Sequence, residues 1–238
     1  MCAKRSLIAG RAGATLQKKS RFDVDLVLLQ LRDEYAKRCD CKNDFPLVIV
    51  MQHQIYARFD NRTLVDRRIE ELRESGRLCA VRMGAAEDET ALVDLEEFSE
   101  HCLSTAKDKL LMKRFLSCIR VHCDVVFTRE QLKEFDFSEK QISGLVRMGV
   151  LSLRKIVGTY WVSIPGAGEY VRHLEAGRKA LQQVVRKTKF KQILRDDLEK
   201  KKLSRTRLSV SYLIDDAIGR DILDVSETTS GPMLTLAD

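Results

Sequence analysis

Two segments of the chain repeat the same order of apolar residues and glycine, and this repeat limits the folds available to it. In each segment, two apolar residues three positions apart are followed by a glycine and then by a further apolar residue. The three-residue step is typical of one helix face, and a glycine four residues on can end that helix in a left-handed turn. The matched positions are Ile69, Leu72, Gly76 and Leu78, then Ile142, Leu145, Gly149 and Leu151. Each segment therefore predicts an amphipathic helix that runs into a short strand.

The residues around each repeat predict the same further elements. The first set has helices at 22–37, 47–55 and 63–75 and strands at 78–83 and 91–95, although the run 47–55 suits a helix or a strand. The second set has helices at 107–122, 128–134 and 138–148 and strands at 151–157 and 159–164, which turn at Gly158. Thr63 with Asp66, and Ser138 with Gln141, have the spacing of a helix capping box. Both sets read as three helices followed by a hairpin.

The remaining residues fit a third, looser copy. Helices are expected at 166–187, 189–200 and 210–218, with Gly219 as the stop, and a hairpin at 222–225 and 233–236 around the turn 227–231. Three helices and a hairpin make up a winged helix. The sequence therefore predicts a mainly α fold with small β-hairpins, of the α+β class, built as three tandem winged-helix domains. The expected domains are 22–105, 106–165 and 166–238, of ordinary small-domain size and closely packed.

The first 21 residues are expected to form a separate disordered arm. They carry six basic residues and no acidic residue. Such an arm could act as a nuclear import signal or as a further phosphate contact. A mitochondrial presequence is the less favoured alternative, and the apolar run at 7–10 is too short for a secretory signal.

Positive charge is concentrated between residues 166 and 207. This stretch holds thirteen Lys or Arg and five Asp or Glu, whereas the whole chain has a net charge of +7. Arg172, Lys179 and Arg186 recur every seven residues and therefore share a helix face. A second helical pattern over 189–200 places Phe190 inside and its lysines outside. Because charge of one sign on an ordered surface repels itself, the pattern predicts that a nucleic acid backbone binds here, with little sequence preference.

A solvated helix face is the alternative reading of this stretch. Some of its cations could pair with the five acidic residues among them, and charge runs on helices commonly do so. The third helix of each winged-helix set is interpreted as a packing element, since glutamates offset the arginines of 63–75. In 210–218, Asp215 and Asp216 would face phosphate.

Several other classes of protein are disfavoured by the sequence. No apolar run is long enough to span a membrane. The seven cysteines are scattered, so reduced thiols are expected, and the spacing of Cys118, His122 and Cys123 needs no metal to explain it. The four histidines lie in separate elements, and the glycine-rich loop, catalytic loop and DFG motif of a kinase are missing, with 136–138 the nearest approach. We expect no catalytic residue, no metal and no cofactor.

Several short motifs resemble the family named serine/threonine-protein kinase 19. They are WVSIPGAG at 161–168, Gly177-Arg178, VRKTK at 185–189, Ile218-Gly219 and SETTSG at 226–231, with a weaker match back to about Phe45. The resemblance implies three tandem winged helices without a kinase fold. It also implies a nuclear protein that binds duplex DNA, with RNA as a further candidate ligand, in transcription-coupled nucleotide excision repair. The implied partners are stalled RNA polymerase II, the Cockayne-syndrome ubiquitin ligase and the repair helicase factor.

The resemblance also indicates where DNA would bind. Basic positions of the family that contact DNA match Arg172, Arg186, Lys189 and Lys201. Glu169 and Ala176 stand where the family can carry basic residues, and the N-terminal arm does not align. Together with the charge pattern, this gives a predicted DNA-binding set of Arg172, Arg178, Lys179, Arg186, Lys187, Lys189, Lys201 and Lys202.

The sequence therefore predicts a non-enzymatic nuclear protein that grips the DNA backbone and bridges repair and transcription machinery. A protein-interaction adaptor that does not bind nucleic acid is the first alternative, and a serine/threonine kinase is the second. A homodimer is compatible with the sequence.

Overall fold

The computed structural model describes residues 21–38, 47–59, 61–83 and 89–237. Of the arm predicted at 1–21, residues 1–20 lie outside the described residues, and Arg21 is the first residue of a helix. The elements of the first unit are α1 (Arg21–Arg38), β1 (Val50–Met51), α2 (Gln52–Tyr56), α3 (Arg62–Glu74), β2 (Leu78–Arg82) and β3 (Thr90–Asp94). One further helix, α4 (Leu95–Thr105), links this unit to the second.

The next two units repeat the same order of elements. The second comprises α5 (Lys109–Val121), β4 (Val126–Thr128), α6 (Arg129–Glu134), α7 (Glu139–Arg147), β5 (Leu151–Leu153) and β6 (Thr159–Val162). The third comprises α8 (Gly168–Arg186), a 3-10 turn (Lys189–Lys191), β7 (Gln192–Leu194), α9 (Arg195–Glu199), α10 (Val210–Gly219), β8 (Leu223–Thr228) and β9 (Gly231–Leu236). This is the predicted mainly α, α+β architecture of three tandem winged helices.

Each unit has one small antiparallel sheet with the same strand order. The last strand of the unit lies in the middle, flanked by the first strand and by its hairpin partner, giving the orders β1-β3-β2, β4-β6-β5 and β7-β9-β8. In the second unit, for example, Tyr160 of β6 lies opposite both Phe127 of β4 and Leu153 of β5. The sheets fall within the expected domains 22–105, 106–165 and 166–238, whose boundaries stay predictions.

The glycine turns of the first two repeats are confirmed. Gly76 and Gly149 follow α3 and α7 with φ of 69° and 80°, the left-handed conformation that glycine adopts without strain. The third repeat ends differently. Gly219 is the last residue of α10, and the left-handed position is taken by Asp221, with φ of 55°.

Two capping predictions had different outcomes. Ser138 accepts a hydrogen bond from the amide of Gln141, whose side chain in turn accepts from the Ser138 amide, so this capping box is confirmed. The box at Thr63 is wrong, because α3 begins one residue earlier. Its N-cap is Asn61, whose side chain accepts from the Leu64 amide at 3.2 Å.

Several elements differ from their predicted form. The run 47–55, which suits a helix or a strand, contains both β1 and the start of α2. The first strands of the second and third sheets were not expected: β4 ends at Thr128, where a helix was predicted to begin, and β7 interrupts the helix predicted at 189–200. Helix α4 was not expected either. Strands of two or three residues carry no periodicity of their own, and their pairing with the last strand of the unit defines them.

One hydrophobic cluster runs through all three units. It joins Phe98 on α4 and Phe115 on α5 with Leu181 on α8 and Leu213 on α10, all of them buried. A second cluster lies within the first unit, where α1 and α3 cover the sheet. The units therefore share a core, which compensates for the small core that each could form alone.

Two glycines allow close helix packing in this core. A Cβ atom built at Gly177 would lie 2.7 Å from Leu213 Cδ1, so this glycine brings α8 onto α10. A Cβ atom built at Gly219 would overlap the carbonyl oxygen of His53, so this glycine brings α10 onto α2 of the first unit. Two of the sequence motifs thus serve the packing between elements.

Replacing Gly219 with alanine should destabilise the fold. The added methyl group meets backbone, which cannot rotate away as a side chain could, and we expect a loss of about 1–3 kcal/mol or more in the free energy of unfolding. Gly168→Ala is the matched control, because nothing lies within 4 Å of a Cβ atom built there. Denaturant unfolding measures both variants, and equal stability of the two would contradict this packing.

Candidate nucleic-acid interface

Helix α8 has one face toward the core and one toward solvent. Tyr170, Leu174, Gly177, Leu181 and Val185 are buried along the inner face. The outer face carries the predicted heptad series of basic residues, all exposed, namely Arg172, Lys179 and Arg186. The sequence periodicity therefore placed these three cations on the solvent side, as predicted.

Most of the predicted cations have no carboxylate partner within the described residues. Arg172 pairs with Glu169 one turn earlier, with both side chains largely exposed. Among the ion pairs of the described residues, none involves Lys179, Arg186, Lys187, Lys189, Lys201 or Lys202. Their positive charge is thus left to solvent or to a ligand.

The chain turns sharply just after α8 and presents further positive charge there. Lys187 and Lys189 are exposed at the end of the helix, and Phe190 and Lys191 have φ of 59° and 53°. Phe190 is 76% exposed, so its predicted inward position is wrong. The Lys189 ammonium group lies 5.0 Å from the centre of the Phe190 ring, a cation–π contact. Lys191 is an exposed cation that the predicted set omitted.

The loop after α9 carries a second group of cations, and its end is bonded to α8. Lys201 and Lys202 are exposed at its start. Near its end, the Thr206 hydroxyl group donates a hydrogen bond to the carbonyl oxygen of His173 at 2.9 Å. This bond fixes the loop against the first half of α8, the part that carries Arg172. Arg205 is a further exposed cation in the loop, with φ of 68°.

Arg178 does not belong to this surface, so its prediction as a DNA contact is corrected. Its side chain is only 11% exposed and lies in a buried ion-pair network. Its guanidinium group donates two hydrogen bonds of 2.7 Å to Asp216 and one of 2.5 Å to Glu89. Arg178 lies four residues after Leu174 and three before Leu181, which puts it on the apolar face. That spacing was the signal that could have excluded it.

The same network corrects the prediction for Asp215 and Asp216. Both are fully buried and do not face solvent. Asp216 accepts hydrogen bonds from Arg178 and lies 2.7 Å from His53 Nε2, while Asp215 pairs with Arg58 and, at 3.0 Å, with Arg195. The carboxylates thus tie α10 to the first unit and to α8 and α9.

The electrostatics of the network favour its ionised form. Burial disfavours the charge on Asp216, but the hydrogen bonds from Arg178 and His53 outweigh this, and the pKa of Asp216 lies below its ordinary value. Burial works against the charge on Arg178 too, and the two carboxylates nevertheless hold its pKa above the ordinary range. We therefore assign these groups to structure, where they join the first and third units.

The third helices of the three units differ in their exposure. Residues 211–217 of α10 are buried between α2 and α8, so this helix is a packing element, as interpreted from the sequence. On α3, Arg68 pairs with Asp25 and Glu71, and Arg73 pairs with Glu70. The outer face of α7 is exposed and carries Lys140 and Arg147.

The tripeptide 136–138 and the group of Cys118, His122 and Cys123, which were compared above with a kinase motif and a metal site, have local structural roles. Phe137, in the tripeptide nearest to a kinase DFG motif, is buried in the core, and Ser138 after it caps α7. Cys123 donates a hydrogen bond to the carbonyl oxygen of Arg73, and the His122 ring packs on Phe135, with 4.5 Å between the ring centres.

Within the described part of the chain, no three histidine, cysteine or acidic side chains are grouped so that they could hold a metal ion. Of the helices described, none has both the length and the apolar composition for crossing a bilayer.

Comparison with known proteins identifies the family. The model of the family described as inactive serine-threonine protein kinase 19 matches residues 32–236. "Winged helix repair factor 1" of Xenopus laevis is 31% identical over 202 residues, which cover 82% of this chain and 77% of that protein. The Homo sapiens protein of the same name is 31% identical over 196 residues, covering 80% of this chain and 77% of that protein. A family match over most of the chain, on a fold of three winged-helix units, shows that the protein belongs to the inactive serine-threonine protein kinase 19 family.

Proposed function

We propose that this protein is a non-enzymatic winged-helix repair factor that binds the backbone of duplex DNA. The binding surface consists of nine exposed cations on α8, in the turn after it and in the loop after α9; we call it the α8 surface. Its members are Arg172, Lys179, Arg186, Lys187, Lys189, Lys191, Lys201, Lys202 and Arg205.

The observation that carries the proposal is the lack of neutralising carboxylates on the α8 surface. Elsewhere in the described chain, cations such as Arg68, Arg120 and Arg195 are held by acidic side chains. Among the nine cations of the α8 surface, the ion pairs of the described residues involve only Arg172, through Glu169, while the neighbouring Lys200 pairs with Asp197. Phosphates of a duplex would supply the missing negative charge and would release condensed counterions on binding.

The geometry favours contact with the DNA backbone over reading of base edges. The helix that enters the major groove in many helix-turn-helix proteins corresponds to α10 in the third unit, and α10 is buried. Flexible lysines on a convex helix face and in loops can reach phosphates without inserting into a groove. Contacts of this kind fix position on DNA and carry little sequence information.

The repair role rests on the names of the relatives. We propose that the protein acts in the nucleus in transcription-coupled nucleotide excision repair, where it bridges DNA with RNA polymerase II, the Cockayne-syndrome ubiquitin ligase and the repair helicase factor. RNA is a further candidate ligand, because its phosphates offer the same charge. The shared core of the three units supports such a role, since a rigid body can hold several partners at fixed distances.

Binding of purified full-length protein to fluorescent duplexes of unrelated sequence tests the DNA proposal. We expect similar affinities for all of them at one salt concentration. A strong preference for one sequence would contradict backbone binding, and no binding at low salt would favour the adaptor without nucleic acid affinity. Phosphotransfer that follows the protein through purification and disappears with a point substitution would contradict the non-enzymatic assignment.

Recovery of transcription after ultraviolet irradiation tests the repair proposal. Cells that lack their own member of the family should recover when this chain is expressed. Failure of a well-expressed nuclear protein to restore recovery, with DNA binding intact, would separate the repair role from the DNA proposal.

A further inference from the structure

A groove on the second unit lies apart from the α8 surface. It runs between the start of α5 and the outer side of α7 and has a volume of about 430 Å³, within the range of cavities that hold ligands. Its apolar lining comes from Leu111, Gly144 and Met148. A Cβ atom built at Gly144 would lie 3.3 Å from Leu111 Cδ2, so the glycine lets α7 approach α5 closely.

Three exposed cations line the same groove. They are Lys107, Lys140 and Arg147. Arg147 donates one hydrogen bond, to the carbonyl oxygen of Ser143, and no ion pair within the described residues involves any of the three. Other cations of the second unit are paired, since Arg129 and Lys133 both lie within ion-pair distance of Glu139.

The acidic group at the groove is already engaged. Asp108 is the N-cap of α5, and its carboxylate accepts a hydrogen bond from the Leu111 amide at 3.0 Å. The carboxylate therefore interacts with the positive end of the α5 dipole. The groove keeps an excess of positive charge around an apolar floor.

This combination fits a peptide better than a nucleic acid. A phosphate backbone would satisfy the three cations but would place hydrated, charged groups over the apolar floor. A peptide can do both, because an apolar side chain fills the floor while acidic residues beside it meet the cations.

We infer that the groove between α5 and α7 is a docking site for a short acidic segment of a partner protein, anchored by a large apolar side chain. Charge complementarity with Lys107, Lys140 and Arg147 selects the acidic segment, and the floor formed by Leu111, Gly144 and Met148 holds the anchor. This site is separate from the α8 surface, so it stands or falls independently of the proposed DNA binding.

Selection from a random peptide library on the full-length protein tests this inference. We expect enrichment of peptides that combine Asp or Glu with Leu, Ile, Met, Phe or Trp. The enriched peptides should bind a variant with Lys107→Glu, Lys140→Glu and Arg147→Glu at least about tenfold more weakly than the wild type. Met148→Gln, which makes the floor polar at nearly constant size, should weaken binding about tenfold by removing the apolar contact.

A charge-matched control shows whether weaker peptide binding is caused by the loss of the groove cations or by the change in net charge. The control variant carries Arg67→Glu, Lys113→Glu and Lys155→Glu, three exposed positions that do not line the groove. It should bind the enriched peptides nearly as the wild type does. Should the charge-reversed groove variant fail to fold, the same three groove positions changed to glutamine provide the comparison.

Three outcomes would overturn the inference. The first is a selection without enrichment of acidic, apolar peptides. The second is equal binding of the enriched peptides to the wild type and to the groove variants. The third is a loss of duplex DNA affinity in the groove variant that is clearly larger than in the charge-matched control, which would make the groove a nucleic acid contact.

Discussion

Replacing Arg178 with alanine is expected to lower the free energy of unfolding by about 3–5 kcal/mol. The substitution leaves Asp216, which is fully buried, without the arginine that donates two hydrogen bonds to it. Glu89 loses the same partner and keeps Arg220. Since a buried carboxylate without its counterion is costly, the junction between the first and third units should weaken.

The neighbouring residue provides a matched control for this prediction. Lys179 is exposed and has no ion pair within the described residues, so Lys179→Ala should change the free energy of unfolding by about 0.5 kcal/mol or less. The effects on DNA affinity should be the opposite: folded Arg178→Ala protein should bind DNA nearly as the wild type does, and Lys179→Ala should bind it more weakly. Urea unfolding and a binding titration measure the two properties. Equal stability of the two variants would contradict the structural role of Arg178.

The parts of the fold that were predicted correctly carry local signals. Helices α3 and α7 show apolar periodicity and end at glycines with positive φ, and the hairpin β5–β6 turns at Gly158. Strand β1 has only two residues, and it is defined by its pairing with β3. Val50 of β1 lies opposite Leu92 of β3, more than forty positions away in the sequence. A strand so short leaves no pattern of its own in the sequence, which is why β4 and β7 were missed and why the run that contains β1 suited a helix or a strand.

The candidate site could be predicted where exposure follows from helix geometry. The heptad spacing of Arg172, Lys179 and Arg186 was sufficient to place them on one exposed face. The burial of Asp215 and Asp216 was not predictable in this way, because their partners Arg58 and Arg178 lie on other elements. Long-range ion pairs of this kind are visible only once the units are packed together.

Reversing four charges on the α8 surface should have the largest effect on function. In the variant with Arg172→Glu, Arg186→Glu, Lys189→Glu and Lys201→Glu, four attractive contacts with phosphate become repulsive. We expect duplex affinity at low salt to fall by at least about two decades. All four side chains are exposed, so the fold should be retained, which circular dichroism and thermal unfolding can verify.

A charge-matched variant shows whether position or net charge causes this loss. Arg67→Glu, Lys109→Glu, Lys113→Glu and Lys155→Glu change the net charge equally and lie outside both the α8 surface and the groove of the second unit. This variant should lose far less affinity, by about tenfold or less, through the weaker long-range attraction alone. Similar losses of duplex affinity in both variants would mean that affinity depends on the net charge of the protein and not on the α8 surface.

The most direct measurement is the dependence of duplex affinity on salt concentration for the wild type and for the four-fold α8 variant. If about six cations touch phosphate, wild-type affinity should fall by roughly three decades between about 50 mM and 200 mM salt. For the variant, the slope of log affinity against log salt should be shallower by about three to four, since each lost contact removes about 0.9. Equal affinities and equal slopes, with both proteins folded, would contradict DNA binding through the α8 surface.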